Sequence, residues 1–196
     1  DWSSDVCSSD LLQALNDWIT VGKEPPSSRV PMRSHGTLVA ADKAVPRDIP
    51  SLPYDGLYTS AYISDHAQLP PKVLGRYDVW VPLADADGMS VAGIRSLPLA
   101  VPKASYTAWN PRAVGYGPGN LFPQQGAASP FALTKAERLA KNDPRLSVEE
   151  RYPSAQAYID AVRIASQRFV EERILLAEDA ERNVERAKLD TLSQIK

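Results

Sequence analysis

The sequence predicts an α+β chain: an N-terminal helix, a proline-rich extended segment, a β-hairpin and a helical C-terminal region. Three patterns predict it. Leu11, Leu12, Leu15, Trp18 and Ile19 recur at helical spacing, Asp85-Ala86-Asp87-Gly88 separates two β-prone runs, and capping residues followed by apolar stripes recur from Thr134 onward.

The first helix should stop at Gly22, because glycine accepts the left-handed conformation just past a helix end and Pro25-Pro26 cannot continue one. Its apolar side needs a surface to lie against. From Pro25 to Leu74 prolines are frequent and apolar runs are brief, as in Thr37-Leu38-Val39-Ala40 and Leu57-Tyr58, so an extended stretch crossing a supporting surface is expected. Val79-Trp80-Val81 and Val91-Ala92-Gly93-Ile94 are the expected arms of a hairpin over residues 77–94, with Gly88 supplying the positive φ of the turn. Leu97 to Val101 reads as an edge segment, since Pro98 and Pro102 cannot donate to a central ladder, and Gly115 to Pro130 reads as a loop. Thr134 caps a short helix reaching Asn142, and Ser147 with Glu150 forms a capping box. Ser154 opens the longest helix, with Tyr158, Val162, Ala165 and Phe169 on one stripe, and a last helix runs from about Glu178 to Leu192 with Val184, Ala187 and Leu189 apolar.

Composition narrows function. The chain has 196 residues, 43% hydrophobic and 23% charged, which suits a soluble globular domain. With 22 basic and 24 acidic residues its net charge of -2 offers no field to gather nucleic acid or an anionic membrane. No apolar run approaches the roughly 20 residues of a membrane-spanning helix. Residues 1–11, Asp1-Trp2-Ser3-Ser4-Asp5-Val6-Cys7-Ser8-Ser9-Asp10-Leu11, have no structural period and resemble the in-frame translation of a short-read sequencing adapter, so they are set aside and the helix is expected to begin at Leu11 or Leu12. Cys7 is the only cysteine, which leaves no thiol chemistry in the remainder.

Candidate chemistry is sparse. Gly88-Met89-Ser90-Val91-Ala92-Gly93 approaches the G-x-S-x-G nucleophile elbow, but its second glycine comes one position late and Ser90 opens a strand rather than a helix. Both histidines, His35 and His66, precede Ser90, against the Ser, acid, His order of α/β-hydrolases, and they lack metal-ligand spacing. Asp85 and Asp87 suit a turn better than a calcium loop, and Gly115-Tyr116-Gly117-Pro118-Gly119 has no helix behind it to aim amides at a phosphate. No metal or cofactor is expected. Tyr106, Trp109, Asn110 and Arg112 combine two aromatics, an amide and a guanidinium, and are the candidate substrate-binding residues, with plain packing of Trp109 as the competing reading.

Several stretches carry a resemblance: Leu12-Gln13-Ala14-Leu15-Asn16-Asp17-Trp18 with Gly22 and Pro25-Pro26, then Ser28-Arg29-Val30-Pro31, Gly36-Thr37-Leu38-Val39, Asp85-Ala86-Asp87-Gly88 and Ala92-Gly93-Ile94-Arg95. Ala100-Val101-Pro102, Tyr106-Thr107 with Trp109-Asn110, and Glu149-Glu150-Arg151-Tyr152-Pro153-Ser154 continue it, while Pro111 and Leu97-Pro98 depart from it. In this order they resemble the C-terminal part of bacterial alpha/beta hydrolase domain-containing proteins. The resemblance implies a parent α/β-hydrolase fold in which residues 12–24 are the last helix of the core, 25–130 a proline-rich segment with the hairpin, and 131–196 a helical region. It further implies a Ser, acid and His upstream of Leu11, an ester or related acyl substrate, and the N-terminal hydrolase core of the same chain as the partner of this region. A structural, pocket-lining extension of a hydrolase is thus one expectation. A non-enzymatic binding or scaffold module that folds alone is the other.

Overall fold

The structure is a computed structural model that describes residues 5–44, 49–50, 52, 62–113, 115–116, 121–122 and 125–194. Helix α1 spans Asp5–Val21, and Gly22 with φ 69° ends it as expected. Its start corrects the expectation: the Ser/Asp run from Asp5 to Asp10 is helical. Serine and aspartate are weak helix formers rather than breakers, and propagation onto an existing turn adds a hydrogen bond for each residue fixed.

Four two-stranded antiparallel sheets are present among the described residues. Strand β1 (Leu38–Ala40) pairs with β4 (Trp80–Pro82), and β2 (Tyr62–Asp65) pairs with β3 (Lys72–Arg76). The second pair is a hairpin inside the stretch expected to be merely extended. The expected hairpin over residues 77–94 keeps its turn but loses its ladder: Gly88 N–H donates to Asp85 O at 2.9 Å, and pairing beyond the turn is a single bridge, Ala84 to Ser90. The arm Val79 to Val81 instead takes β1 as its partner, so a long-range pairing displaces the local one. Gly88 has φ 81°, a conformation that favours glycine, and a Cβ there would also displace the tip of the Ile49 side chain, 2.1 Å away.

Two further expectations are corrected downstream. Leu97–Ala100 is a helical turn, α2, because proline in the first turn surrenders only an amide that would lack an intrahelical acceptor. The expected loop from Gly115 to Pro130 contains β7 (Leu121–Phe122) and β8 (Ala127–Pro130), which pair with β6 (Asn110–Pro111) and β5 (Ala104–Thr107). Gly126 permits this, since a Cβ there would lie 2.4 Å from Thr107 O. The Leu57-Tyr58 run, residues 1–4 and Gly117 to Gly119 lie outside the described residues.

The C-terminal helices follow their caps. Thr134 Oγ1 accepts from Glu137 N–H ahead of α3 (Lys135–Ala140), and the Ser147/Glu150 capping box opens α4 (Val148–Arg151). Ser154 caps α5 (Ala155–Glu171), which pairs with α6 (Ala177–Gln194). Tyr158, Val162, Ala165 and Phe169 are all buried, together with Ala187 of α6. Leu189 is 72% exposed, which removes it from the expected packing stripe. The main core joins Tyr158, Val162, Ala165 and Ala187 to Val101, Phe131, Val148 and Tyr152, and a second cluster gathers Phe169, Ile174 and Leu175 at the turn between α5 and α6. Tyr152 and Tyr158 meet edge to face at 5.1 Å, and burial pushes the Tyr158 phenol up to about 12.

Candidate functional site

The four candidate substrate-binding residues sit along one continuous piece of chain. Tyr106, in β5 opposite Ala128, is half-buried, and burial raises its phenol above the ordinary value. Its ring lies close enough to Tyr152 and Tyr158 to act on both electrostatically. Thr107 Oγ1 donates to Trp109 O at 2.5 Å, which bends the chain so that Trp109 lies half-buried between two strand pairs. Asn110 pairs with Phe122, and the exposed Arg112 places its guanidinium 5.4 Å from that ring. The quartet is therefore divided: Tyr106 faces the tyrosines of the core, and Arg112 belongs to the β6–β7 pair. Neither of the two clefts described below is lined by any of the four.

Below β5 lies a buried polar network. Arg145 is 3% exposed, and its guanidinium is saturated: Nε and Nη2 donate to the Asp143 carboxylate at 2.9 and 2.7 Å, Nη1 to Ser105 Oγ and Ser129 O at 2.8 and 2.9 Å, and Nη2 also to Pro130 O at 3.3 Å. Burial alone would raise the Asp143 carboxyl, but the hydrogen bonds and charge of Arg145 outweigh it and hold the group below its usual range. Ser105 in turn donates to Asp87 O, Arg151 pairs with the Asp87 carboxylate, and Arg95 Nη2 meets Asp85 Oδ2 at 2.9 Å. The Arg145 guanidinium is spent entirely on protein, and with Arg151 and Arg95 it holds the 85–88 turn in place.

The serines and histidines do not assemble into a nucleophile. Ser90 Oγ donates to Ala92 O at 3.0 Å, while His35 and His66 are exposed, and among the described residues no hydrogen bond joins a serine to a histidine. Among those residues, too, no group of three or more His, Cys, Asp or Glu side chains could hold a metal, and no helix is long and apolar enough to cross a membrane.

Helix α1 presents an uncovered apolar stripe. Leu11, Leu12, Leu15, Trp18 and Ile19 are 55, 66, 47, 52 and 75% exposed, so the stripe that made the helix legible faces outward. Among residues 10–21 only Asp10 and Ala14 are buried, at the wall of a cleft of about 480 Å³ between α1 and the α5–α6 turn. Burial raises the Asp10 carboxyl, with Asp179 adding repulsion, and its Oδ1 has no partner among the described residues. Arg173, at φ 60°, ties the two sides together through Nη1 to Glu24 O at 2.7 Å and Nη2 to Asp17 Oδ2 at 3.4 Å.

A family model described as alpha/beta hydrolase domain matches residues 2–185. The chain belongs to that family. No curated protein and no solved structure matches it. For this alpha/beta hydrolase domain chain, membership supports a hydrolase-like function, and the matched span begins inside the residues 1–11 that sequence reasoning sets aside. All strand pairings described are antiparallel and two strands wide, whereas the catalytic sheet of an α/β-hydrolase is open and mostly parallel. The Arg145 network leaves one local trace in the sequence, Asp143-Pro144-Arg145: an aspartate two residues before an arginine can fold back onto it, as Arg145 N–H to Asp143 Oδ1 at 3.0 Å does.

Proposed function

We propose that this chain is the C-terminal part of a serine-type α/β-hydrolase acting on an ester or related acyl substrate, and that it serves the catalytic core as a structural and pocket-lining extension. The observation that carries this reading is the uncovered stripe of α1. A helix that shows Leu12, Leu15, Trp18 and Ile19 to water has the pattern of one built to lie on a sheet, as the last helix of an α/β-hydrolase core does. On this reading the Ser, acid and His precede Leu11 in the complete protein, residues 1–11 derive from an adapter, and Tyr106, Trp109, Asn110 and Arg112 form part of the pocket wall.

Two measurements test it. The chain alone, given 4-nitrophenyl butyrate, should release nitrophenol no faster than buffer, and serine-dependent turnover would overturn the assignment of catalysis elsewhere. The longer reading frame, expressed with and without residues 12–196, should lose ester turnover and melt earlier without them, and unchanged values would remove the extension role. The consolidated core around Val162 favours a second reading, a binding or scaffold module that folds on its own. A single cooperative melt of residues 12–196 would support it, while dye binding without a cooperative transition would support the dependent extension.

A further inference from the structure

A second cleft, of about 350 Å³, opens between residues 29–37, residues 91–95 and the end of α5, away from the α1 stripe. Arg29, His35, Arg95 and Arg168 line it, and Glu172 is its only acidic lining residue. Arg29 Nη2 lies 3.0 Å from Glu172 Oε2 as an ion pair without hydrogen-bond alignment, and that oxygen is shielded from solvent with no hydrogen-bond partner among the described residues. Arg95 spends Nη2 on Asp85 Oδ2 and on Leu99 O, both at 2.9 Å, but its Nε is shielded from solvent and without a partner. Arg168 forms no ion pair among the described residues, and its guanidinium lies 5.1 Å from the Phe169 ring. Three guanidiniums against the carboxylates of Glu172 and Asp85 leave one positive charge in excess at this spot, on a chain whose net charge is -2. A local field opposed to the charge of the whole molecule draws a small anion without drawing a polyanion.

The rest of the lining decides which anion. Val30, Val91 and Phe169 contribute apolar surface, and Gly93 brings backbone to the rim without a side chain in the way. We propose that this cleft binds a small organic acid, its carboxylate paired with Arg168 and Arg29 and its apolar body against Val30 and Val91. Guanidinium suits this role because its planar donors match a carboxylate in two places at once. Glu172 is then an internal competitor, holding Arg29 until a ligand carboxylate replaces it. The inference rests on this cleft alone and stands or falls separately from the hydrolase reading.

The test is an amide NMR titration of the full chain with benzoate, benzyl alcohol and inorganic phosphate. Benzoate should shift Gly93 and Arg168 saturably, with a Kd on the order of 1 mM, and benzyl alcohol and phosphate should each bind at least about tenfold more weakly. R168Q and R29Q should each weaken benzoate about fivefold or more, and E172Q should tighten it about threefold by removing the competing charge. Absence of saturable shifts at about 20 mM benzoate overturns the site. Equal binding of benzyl alcohol overturns the carboxylate assignment, equal binding of phosphate overturns the organic acid, and weaker binding by E172Q overturns the competitor role.

Discussion

Residues 97–194 and residues 5–82 are built on opposite terms. In the first region Val101, Phe131, Val148, Tyr152, Tyr158, Val162, Ala165 and Ala187 close on one another, and the buried Arg145 and Tyr152 side chains find hydrogen-bond partners, while Ser166 Oγ has none among the described residues. In the second, large apolar residues such as Leu12, Ile19, Val73 and Leu74 face outward, and the β2–β3 hairpin carries Tyr62, Ile63 and Leu69 on its surface as well. An isolated two-stranded hairpin is marginal in water, and a contiguous apolar surface marks a contact site more often than chance. The difference lies in where apolar surface is buried: the C-terminal region encloses a core of its own, and the N-terminal region carries the pattern of a surface made for covering.

The largest expected effect tests the self-sufficiency of the C-terminal region. Arg145→Ala strands the Asp143 carboxylate, whose side chain is only 4% exposed, and should cost about 3–5 kcal/mol, read as a fall in the urea midpoint. A loss below about 1 kcal/mol would mean that the network is not part of a cooperative core. A middle-sized effect sharpens the same contrast. Ser147→Ala removes the cap of α4 and should cost about 1 kcal/mol.

The same cap gives a pH test. The Arg138 guanidinium, followed by the Ser147 N–H, pulls the Glu150 carboxyl from 4.5 down to about 2. Because its folded value is depressed, its stabilisation is full above about 4.5 and is lost as the pH falls toward about 2. The melting temperature should therefore drop across that window in the parent chain, and less steeply in Glu150→Gln. The smallest effect belongs to α1. Leu15→Ser, at a position 47% exposed, should change the stability of this chain by less than about 0.5 kcal/mol. In a longer protein that covers the stripe, the same change should cost about 2 kcal/mol, and a large cost in the chain alone would erase the contrast between the regions.

Legibility in the sequence follows the range of the interactions. Thr134, Ser147 and Ser154 each satisfy an amide three residues on, so the helices they open could be read directly, along with the stripe from Tyr158 to Phe169. The 85–88 turn was legible for the same reason, since Asp85 Oδ1 takes the amides of Asp87 and Met89. Pairings set at long range were not legible. Nothing near Trp80 names Ala40 as its partner, and nothing near Ala104 names Pro130. The candidate site shows the same divide: Tyr106 to Arg112 stood out as an aromatic and polar run, whereas Arg145 reaches Ser105 across 40 positions of sequence.

Arg145 also limits how the β5–β8 ladder can be threaded. Ser105 and Ser129 face each other in the pairing, and the guanidinium takes the hydroxyl of one and the carbonyl of the other. Sliding one strand by a single residue would turn its side chains to the opposite face and withdraw acceptors from a charge already enclosed. The arginine thus acts as a gauge pin: a strand pair only four residues long, with two alanines and a proline in one arm, has one alignment in which the pin fits.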